Sequence, residues 1–249
     1  SEINYRLYAL DLPDFFQLTG PDSWQYWDDF TPNPNNLLRK WTKRVNAPLN
    51  QFAVIGTRLA QTKQGSLPPG LYFLEVDSPG AGKDRKVMVI SPHNLVLKQS
   101  QKSAFLWVTD MKTGAVVPDL PVKIYDNTGM VIATGKTNQD GALQTSYPKV
   151  DVWNTMYVLV GGDDLPNARF GAVLSEWNDG INAWDFNING EMYSDEYNAY
   201  IYTDRPIYRP GQKVYYKGIL RHDDWAIYTL PEAGRPITVT VTNGEGEQI

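Results

Sequence analysis

Cysteine is absent from the 249 residues. That absence excludes disulfides, thiolate zinc sites and a cysteine nucleophile, and it leaves the redox compartment unread. Histidine occurs only as His93 and His222, so a catalytic triad or a histidine-rich metal cluster has almost no material. No run of 18 apolar residues exists, and Ser1-Glu2-Ile3 has neither the charged nor the apolar part of a signal segment. The chain reads as soluble, with any export signal or membrane tether expected outside it. Clustered positive charge is missing as well: 23 Lys and Arg stand scattered against 28 Asp and Glu, a net charge of -5. Phosphate binding needs grouped cations, so neither a nucleic acid nor an anionic membrane surface is the expected partner.

What is present leans one way. The chain holds 15 Tyr, 8 Trp, 17 Pro and 20 Gly, with apolar residues at 42% and charged ones at 20%. Aromatic and β-branched side chains suit half-buried strands, while Gly and Pro supply turns, so the fold class is all-β. In "INYRLYAL" the residues Ile3, Tyr5, Leu7 and Ala9 share one face of a first strand. "GLYFLEV" and "RKVMVI" flank the turn "DSPGAGKD". Leu37, Leu38, Trp41 and Val45 fall at helical spacing behind Asn35 or Asn36 as a cap, which predicts one short helix. From His93 onward, segments such as "NLVLKQS", "AFLWVTD", "LPVKIYD" and "NTMYVLVGG" predict a seven-stranded antiparallel sandwich of about 80 residues. The "DNTG" and "NQDG" turns between strands carry the residues tight hairpins require.

The stretch "EWNDGINAWDFNINGEMYSDEYN" has no clean period and reads as an ordered linker anchored by Trp177, Trp184 and Phe186. Beyond it, "GRPITVTVTNGEGEQI" repeats the pattern of "DLPVKIYDNTGMVI": a Pro, an alternating strand, a Gly turn and a new strand. The expected plan is therefore a sandwich over 1–92, a second over 93–175, a linker over 176–198, and the front of a third over 199–249. Half a sandwich bares an apolar face and a strand edge, so this third unit is expected to pack against further chain or another molecule.

Chemistry finds little purchase. Gly129 to Thr137, "GMVIATGKT", superficially resembles a phosphate loop, but five residues rather than four separate its glycines and it follows a hairpin turn. Asn138, Asp140 and Gly141 make a partial calcium-loop pattern without its first aspartate or final glutamate; an Asp-Gly hairpin explains them. Asp163-Asp164 and Asp223-Asp224 are adjacent carboxylates, which diverge on extended backbone. A carboxylate hydrolase would need a pair such as Glu176 and Asp224, which no spacing selects. Trp24, Tyr26, Trp27 and Phe30 could stack on sugar rings or form a core, and Trp177 with Trp184 offers a second aromatic region. A carbohydrate- or surface-binding module is thus one reading. No cofactor or metal site is expected.

"YTDRPIYRPGQKVYYKGILR" closely resembles the start of a macroglobulin-like domain in the alpha-2-macroglobulin family, with the bacterial branch the nearer match. The specific part is Asp204, Arg205 and Pro206 with Tyr208, Arg209, Pro210 and Gly211. "FLWVTDMKTGAVVPDLPVKIYDNTGMVIATGKTNQDGALQ" resembles the domain immediately before, and "LPPGLYFLEV" and "YRLYALDLPDFFQL" the one before that. The resemblance implies tandem fibronectin-III-like sandwiches in a protease-trapping inhibitor outside the cytoplasm, periplasmic, lipid-anchored or secreted. Its partners would be target proteases and neighbouring macroglobulin domains. In that family a protease cuts a bait segment, and many members then link to it through a Cys-Gly-Glu-Gln thioester. Without cysteine the thioester cannot lie here, and no long strand-free bait stretch is visible, so the chain would be non-catalytic scaffold. Locally, Pro206 and Pro210 fix φ and lack donors, which suits extended backbone at the edge of a sheet. Val214, Tyr216 and Leu220 would then share one strand face, and Tyr215, Lys217 and Ile219 the other.

Overall fold

A computed structural model describes residues 2–46, 54–61, 65–151, 153–162, 165, 167–177, 196–209, 211–224, 227–242 and 246–248. Two compact units divide the chain, Ser1–Asp179 and Gly180–Ile249.

The first unit opens with strand β1 (Glu2–Ala9), which pairs antiparallel with β2 (Leu37–Arg44) on one side and β3 (Gly70–Ser78) on the other; β4 (Ala81–Ile90) completes a sheet in the order β2-β1-β3-β4. Helix α1 (Leu12–Thr19) follows β1 directly. The Asp11 carboxylate accepts the Asp14 N–H at 3.0 Å and caps it, and Pro13 sits in its first turn, where no donor is needed. A five-residue helix α2 (Ser23–Trp27) comes next.

The helix expected near residues 36–45 is instead the strand β2. Asn33 caps only a 3-10 turn, Pro34–Asn36, by accepting the Asn35 N–H at 3.0 Å. From Leu37 the burial alternates, and register with β1 stacks Trp41 on Tyr5, centroids 5.0 Å apart and planes within 6°. A cross-strand aromatic pair outweighs a weak helical period.

The sandwich expected after His93 is present. Strands β5 (His93–Gln99), β6 (Ser103–Asp110) and β9 (Ala142–Ser146) form one sheet, in the order β5-β6-β9. Opposite it, β7 (Pro121–Tyr125), β8 (Val131–Lys136), β10 (Tyr157–Val160) and β11 (Gly171–Leu174) form a second, in the order β11-β10-β7-β8. Leu106, Val108, Val122, Ile124, Val158 and Val160 meet between them. At the corner after β9, the buried Tyr147 hydroxyl reaches the carbonyls of Ser100 and Ser103 at 2.8 and 2.7 Å.

The four-stranded sheet of this sandwich is covered on its other face too. Tyr125, Tyr157, Leu159, Ala172 and Leu174 point away from the first core and pack with Phe15 and Leu18 of α1 and with Tyr8, Leu71 and Phe73 of the opening sheet. Hence all four residues of β10 are buried. Among the described residues, 2–90 thus supply one sheet and two helices rather than the two-sheet sandwich expected over 1–92. The layer they face belongs to the next segment.

In the second unit β12 (Tyr197–Thr203), β13 (Tyr216–Asp224) and β14 (Ile227–Thr229) make a three-stranded antiparallel sheet. Tyr216 pairs with Thr203 and Ile219 with Tyr200, which keeps the alternation expected for β13.

Candidate interaction surfaces

The Asp-Arg-Pro-x-Tyr-Arg-Pro-Gly motif lies between β12 and β13 and folds back on itself. The Asp204 N–H donates to the Tyr215 carbonyl at 3.0 Å, which carries the β12–β13 pairing one step past its last strand residue. The Tyr208 hydroxyl donates to the Asp204 carboxylate and accepts the Arg205 N–H at 3.1 Å. That hydroxyl holds the Asp204 carboxyl below the ordinary aspartate range, with the Arg205 charge assisting. Arg205 lies 3.4 Å from Asp204 with its side chain 62% exposed, so the ion pair adds little. Arg209 and Gln212 exchange hydrogen bonds, the Arg209 N–H to Gln212 Oε1 at 2.9 Å and the Gln212 N–H to the Arg209 carbonyl at 3.1 Å. Gly211 takes φ of 81°, a conformation that favours glycine. Pro206 occupies an exposed position in the same turn, and Pro210 lies outside the described residues. The motif's carboxylate is thus engaged by its own turn.

The other sequence candidates disperse. Glu176 belongs to the first unit and Asp224 to the second. Gly129 to Thr137 is a hairpin: the Asp126 carboxylate accepts the N–H groups of Thr128 and Met130, and the chain turns into β8. Asn138 likewise accepts from Asp140 and Ala142 at 3.0 Å each, an Asx turn with Gly141 at φ 70°. A Cβ at Gly141 would lie 2.6 Å from the Val108 carbonyl oxygen, so glycine is required there. Of the aromatic cluster, Trp27 and Phe30 pack on Phe73 with centroids at 6.1 and 5.1 Å. Trp24, 72% exposed, and Tyr26 face solvent without stacking on each other among the described contacts. The coplanar pair is Tyr5 with Trp41, which is closed off by Arg39, its guanidinium 4.3 Å above the Trp41 ring. Trp177 is half exposed. Asp163, Asp164, Trp184 and Phe186 fall outside the described residues. Among the described residues, no group of three or more His, Asp or Glu side chains converges on a metal-sized site.

Three features that sequence reading did not single out organise the first unit. Helix α1 carries Phe15 and Phe16 against Tyr157, at 5.9 and 4.6 Å, and the Tyr157 hydroxyl donates to the Phe16 carbonyl at 3.1 Å. The "LDLPDFFQLT" stretch had the signal for it: an Asp cap, a proline inside the first turn, then paired aromatics. Secondly, β3 places Glu75 among three cations, Arg6 at 2.7 Å, Lys83 at 3.0 Å and Arg85 at 3.4 Å. Burial would raise its pKa, but hydrogen bonds and charge from Arg6 and Lys83 outweigh that and hold it below the usual glutamate value. Thirdly, residues 54–61 run along β2 as a strap held by side chains. Arg39 Nη1 donates to the carbonyls of Arg58, Leu59 and Ala60 at 2.8, 3.1 and 2.7 Å, the Trp41 indole N–H donates to Thr57, and Lys43 reaches the Gly56 carbonyl.

Among the described residues, exposed apolar side chains gather on both units. On the outer face of the β5-β6-β9 sheet, Val96 pairs across from Trp107, with Phe105 two residues along. In the second unit Tyr200 and Ile219 on one face of the sheet, and Ile201 and Tyr216 on the other, are exposed.

Comparison with known proteins places these observations in a family setting. Residues 90–193 match the bacterial alpha-2-macroglobulin MG3 domain, and residues 198–249 match the MG2 domain. An alpha-2-macroglobulin of Ralstonia nicotianae is 29% identical over 195 residues, which cover 74% of this chain and 11% of that protein. One from Rickettsia conorii is 23% identical over 194 residues, covering 74% of this chain and 10% of its own length. The chain thus spans about a tenth of these relatives. Among solved structures, native alpha-2-macroglobulin from Escherichia coli spanning domains NIE-MG1 superposes with a TM-score of 0.51 at 12% identity, covering 69% of this chain and 82% of that one. The structure of the same protein spanning MG0-NIE-MG1 gives 0.50. At that identity the likeness concerns the fold alone.

Proposed function

Since this chain belongs to the bacterial alpha-2-macroglobulin family, its macroglobulin domains being matched over 90–193 and 198–249, we propose that it is non-catalytic scaffold in a protease-trapping inhibitor. The observation that carries this reading is the succession of two family domains, one of them folded here as the β5–β11 sandwich. Trapping needs a cage of rigid modules that move as bodies, and sandwiches whose carboxylates and hydroxyls are consumed in turns and corners supply rigidity without reactivity. A chain with no cysteine cannot contain the family's thioester. The bait and any thioester belong to other parts of the inhibitor, and its partners are target proteases and neighbouring macroglobulin domains.

The domain boundaries are part of the proposal: a one-sheet layer over 1–92 that shares a core with the sandwich of 93–175, a linker over 176–198 and a further macroglobulin-like unit over 199–249. So is the role of the motif from Asp204 to Gly211, which sets the turn into β13 and takes no part in chemistry. No described helix is long and apolar enough to cross a membrane. The extracytoplasmic location, periplasmic, lipid-anchored or secreted, follows from the family.

Proteolysis of the full-length inhibitor tests the reading. After limited cleavage, its electrophoretic mobility should shift, and the captured protease should keep turning over a small peptide substrate while losing activity on a large protein. The 249-residue chain alone should inhibit nothing. A full-length protein that is cut without a mobility change, and leaves the protease equally active on large and small substrates, overturns the trapping role.

A further inference from the structure

The connection from β10 to β11 lies where three sheets meet, and its described residues are bonded mostly to one another and to neighbours in sheets other than β5-β6-β9: the Gly161 N–H to the Pro121 carbonyl, Asn167 Nδ2 to the Gly161 carbonyl and the Arg169 N–H to Asn167 Oδ1. Its Asn167 N–H donates to the Pro69 carbonyl at the start of β3, at 3.2 Å, and the fully buried Phe170 enters the core shared with the opening sheet. Its tie to the β5-β6-β9 sheet is a side chain. His93, the first residue of β5, sits 7% exposed with Nε2 at 3.1 Å from the Arg169 carbonyl oxygen. A carbonyl can only accept, so Nε2 carries the proton and Nδ1 is the bare nitrogen. That Nδ1 is buried and has no hydrogen-bond partner.

Among the charges around His93, Asp110 favours the protonated ring and Arg169 opposes it, and burial outweighs both. Asp110 lies opposite on β6, but its Oδ1 already accepts from the Lys112 and Thr113 N–H groups and the Thr113 hydroxyl. Arg169, on the loop itself, adds a like charge. Among the described residues, the end of β4 and strand β11 bring the apolar Val89, Ile90, Ala172 and Val173, with Met111 and Trp177 beside them. The Ser91 hydroxyl is occupied by the backbone of His93, accepting its N–H at 3.0 Å.

We propose that His93 is a proton-sensitive latch: protonation at Nδ1 sets a charge and an unmatched donor inside this joint and frees the Arg169–Phe170 turn from β5. Burial, with the Arg169 charge behind it, holds the imidazole pKa below its usual value, against the pull of its bond to the Arg169 carbonyl and of the Asp110 charge. The sign follows from linkage. The closed joint favours the neutral ring, so the latch is fully engaged above the open-state value near about 6.5 and is lost as pH falls through the lower closed-state value. Between those two values opening rises by up to about tenfold per pH unit, one proton being taken up.

Amide hydrogen exchange on the 249-residue chain, corrected for intrinsic rates, reads this directly. From pH 6.5 to 5.5 the Phe170 amide, bonded to the Asn167 carbonyl, should gain up to about fivefold in exchange while the core amide of Val158 does not change. His93→Gln keeps a side-chain donor but cannot titrate, and it should abolish the gain; His222→Asn should leave it intact. An equal gain in His93→Gln, or none in the wild type, overturns the latch. Should His93→Gln fail to fold, the imidazole titration of the wild type decides by NMR. Coincidence with the exchange step supports the latch, whereas titration at or above about 6.5 apart from that step overturns it.

Discussion

Glu75 and Tyr147 are both buried, and each makes a pH-dependent contribution of opposite sign. Glu75 is ionised among Arg6, Lys83 and Arg85, and its pKa is held below the ordinary 4.5. A depressed carboxyl stabilises the fold above its unfolded value and loses that contribution as pH falls through the folded one. Glu75→Gln leaves three cations facing each other and should cost on the order of 2–3 kcal/mol at pH 7, less than a fully buried pair because Arg6 and Lys83 keep contact with water. Urea melts at pH 7 and pH 3 check both parts, the wild-type advantage shrinking at the lower pH. Tyr147 runs the other way: burial pushes its phenol from 10 up to about 12. Stability from a raised group is complete below the unfolded value and drains as pH rises through the folded one, here by up to about 1.4 kcal/mol per pH unit. Tyr147→Phe should lose about 1–2 kcal/mol at pH 7, through the lost hydroxyl contact with the Ser100 and Ser103 carbonyls, and should flatten the decline between pH 10 and 12. Neither role was legible in the sequence. Each depends in part on a partner at least 44 positions away, Arg6 for Glu75 and Ser103 for Tyr147, and no local pattern announces such contacts.

Among elements, the turns were the most legible and β2 the least. Asp126, Asn138 and Gly141 do locally what Asp, Asn and Gly do in any tight turn, so the hairpins stood in the sequence as read. The segment from Leu37 misled because four apolar residues at helical spacing are a weak signal beside the pull of a partner strand already offering Tyr5. The alternation Arg39, Trp41, Lys43 was the better guide, and its long donors suit a face that grips the 54–61 strap. Arg39→Met removes three charge-assisted contacts at once. Losing about 1.5 kcal/mol of local stability should let trypsin cut after Arg58 about tenfold faster, with global urea stability changed far less. Equal cutting rates would show that the strap is held by something else.

For the molecule as a whole, the sandwich class and the family were legible, and the way the layers combine was not. Reading each segment as its own two-sheet unit assumed that strands are buried on one face. The four successive apolar residues of β10, Tyr157 to Val160, carried the contrary sign: such a run marks a strand with both faces covered. In the second unit exposed Tyr200, Ile201, Tyr216 and Ile219 should bind the dye ANS, and the double substitution Tyr200→Ser with Ile219→Ser should dim its fluorescence by a measurable fraction. Unchanged fluorescence would place the dye elsewhere, on Phe105 and Trp107 first. The doubly covered sheet has a further consequence for anyone who treats the chain as beads on a string. Cut at residue 92 and transplanted, the β5–β11 sandwich would keep its own interior but present Tyr125, Tyr157, Leu159 and Leu174 to water where α1 had lain. The sandwich is therefore not portable by itself. The smallest cassette for grafting, recombination or separate expression begins at β1, and sequence drift in Phe15 or Phe16 has to be answered across that seam by Tyr125 or Tyr157.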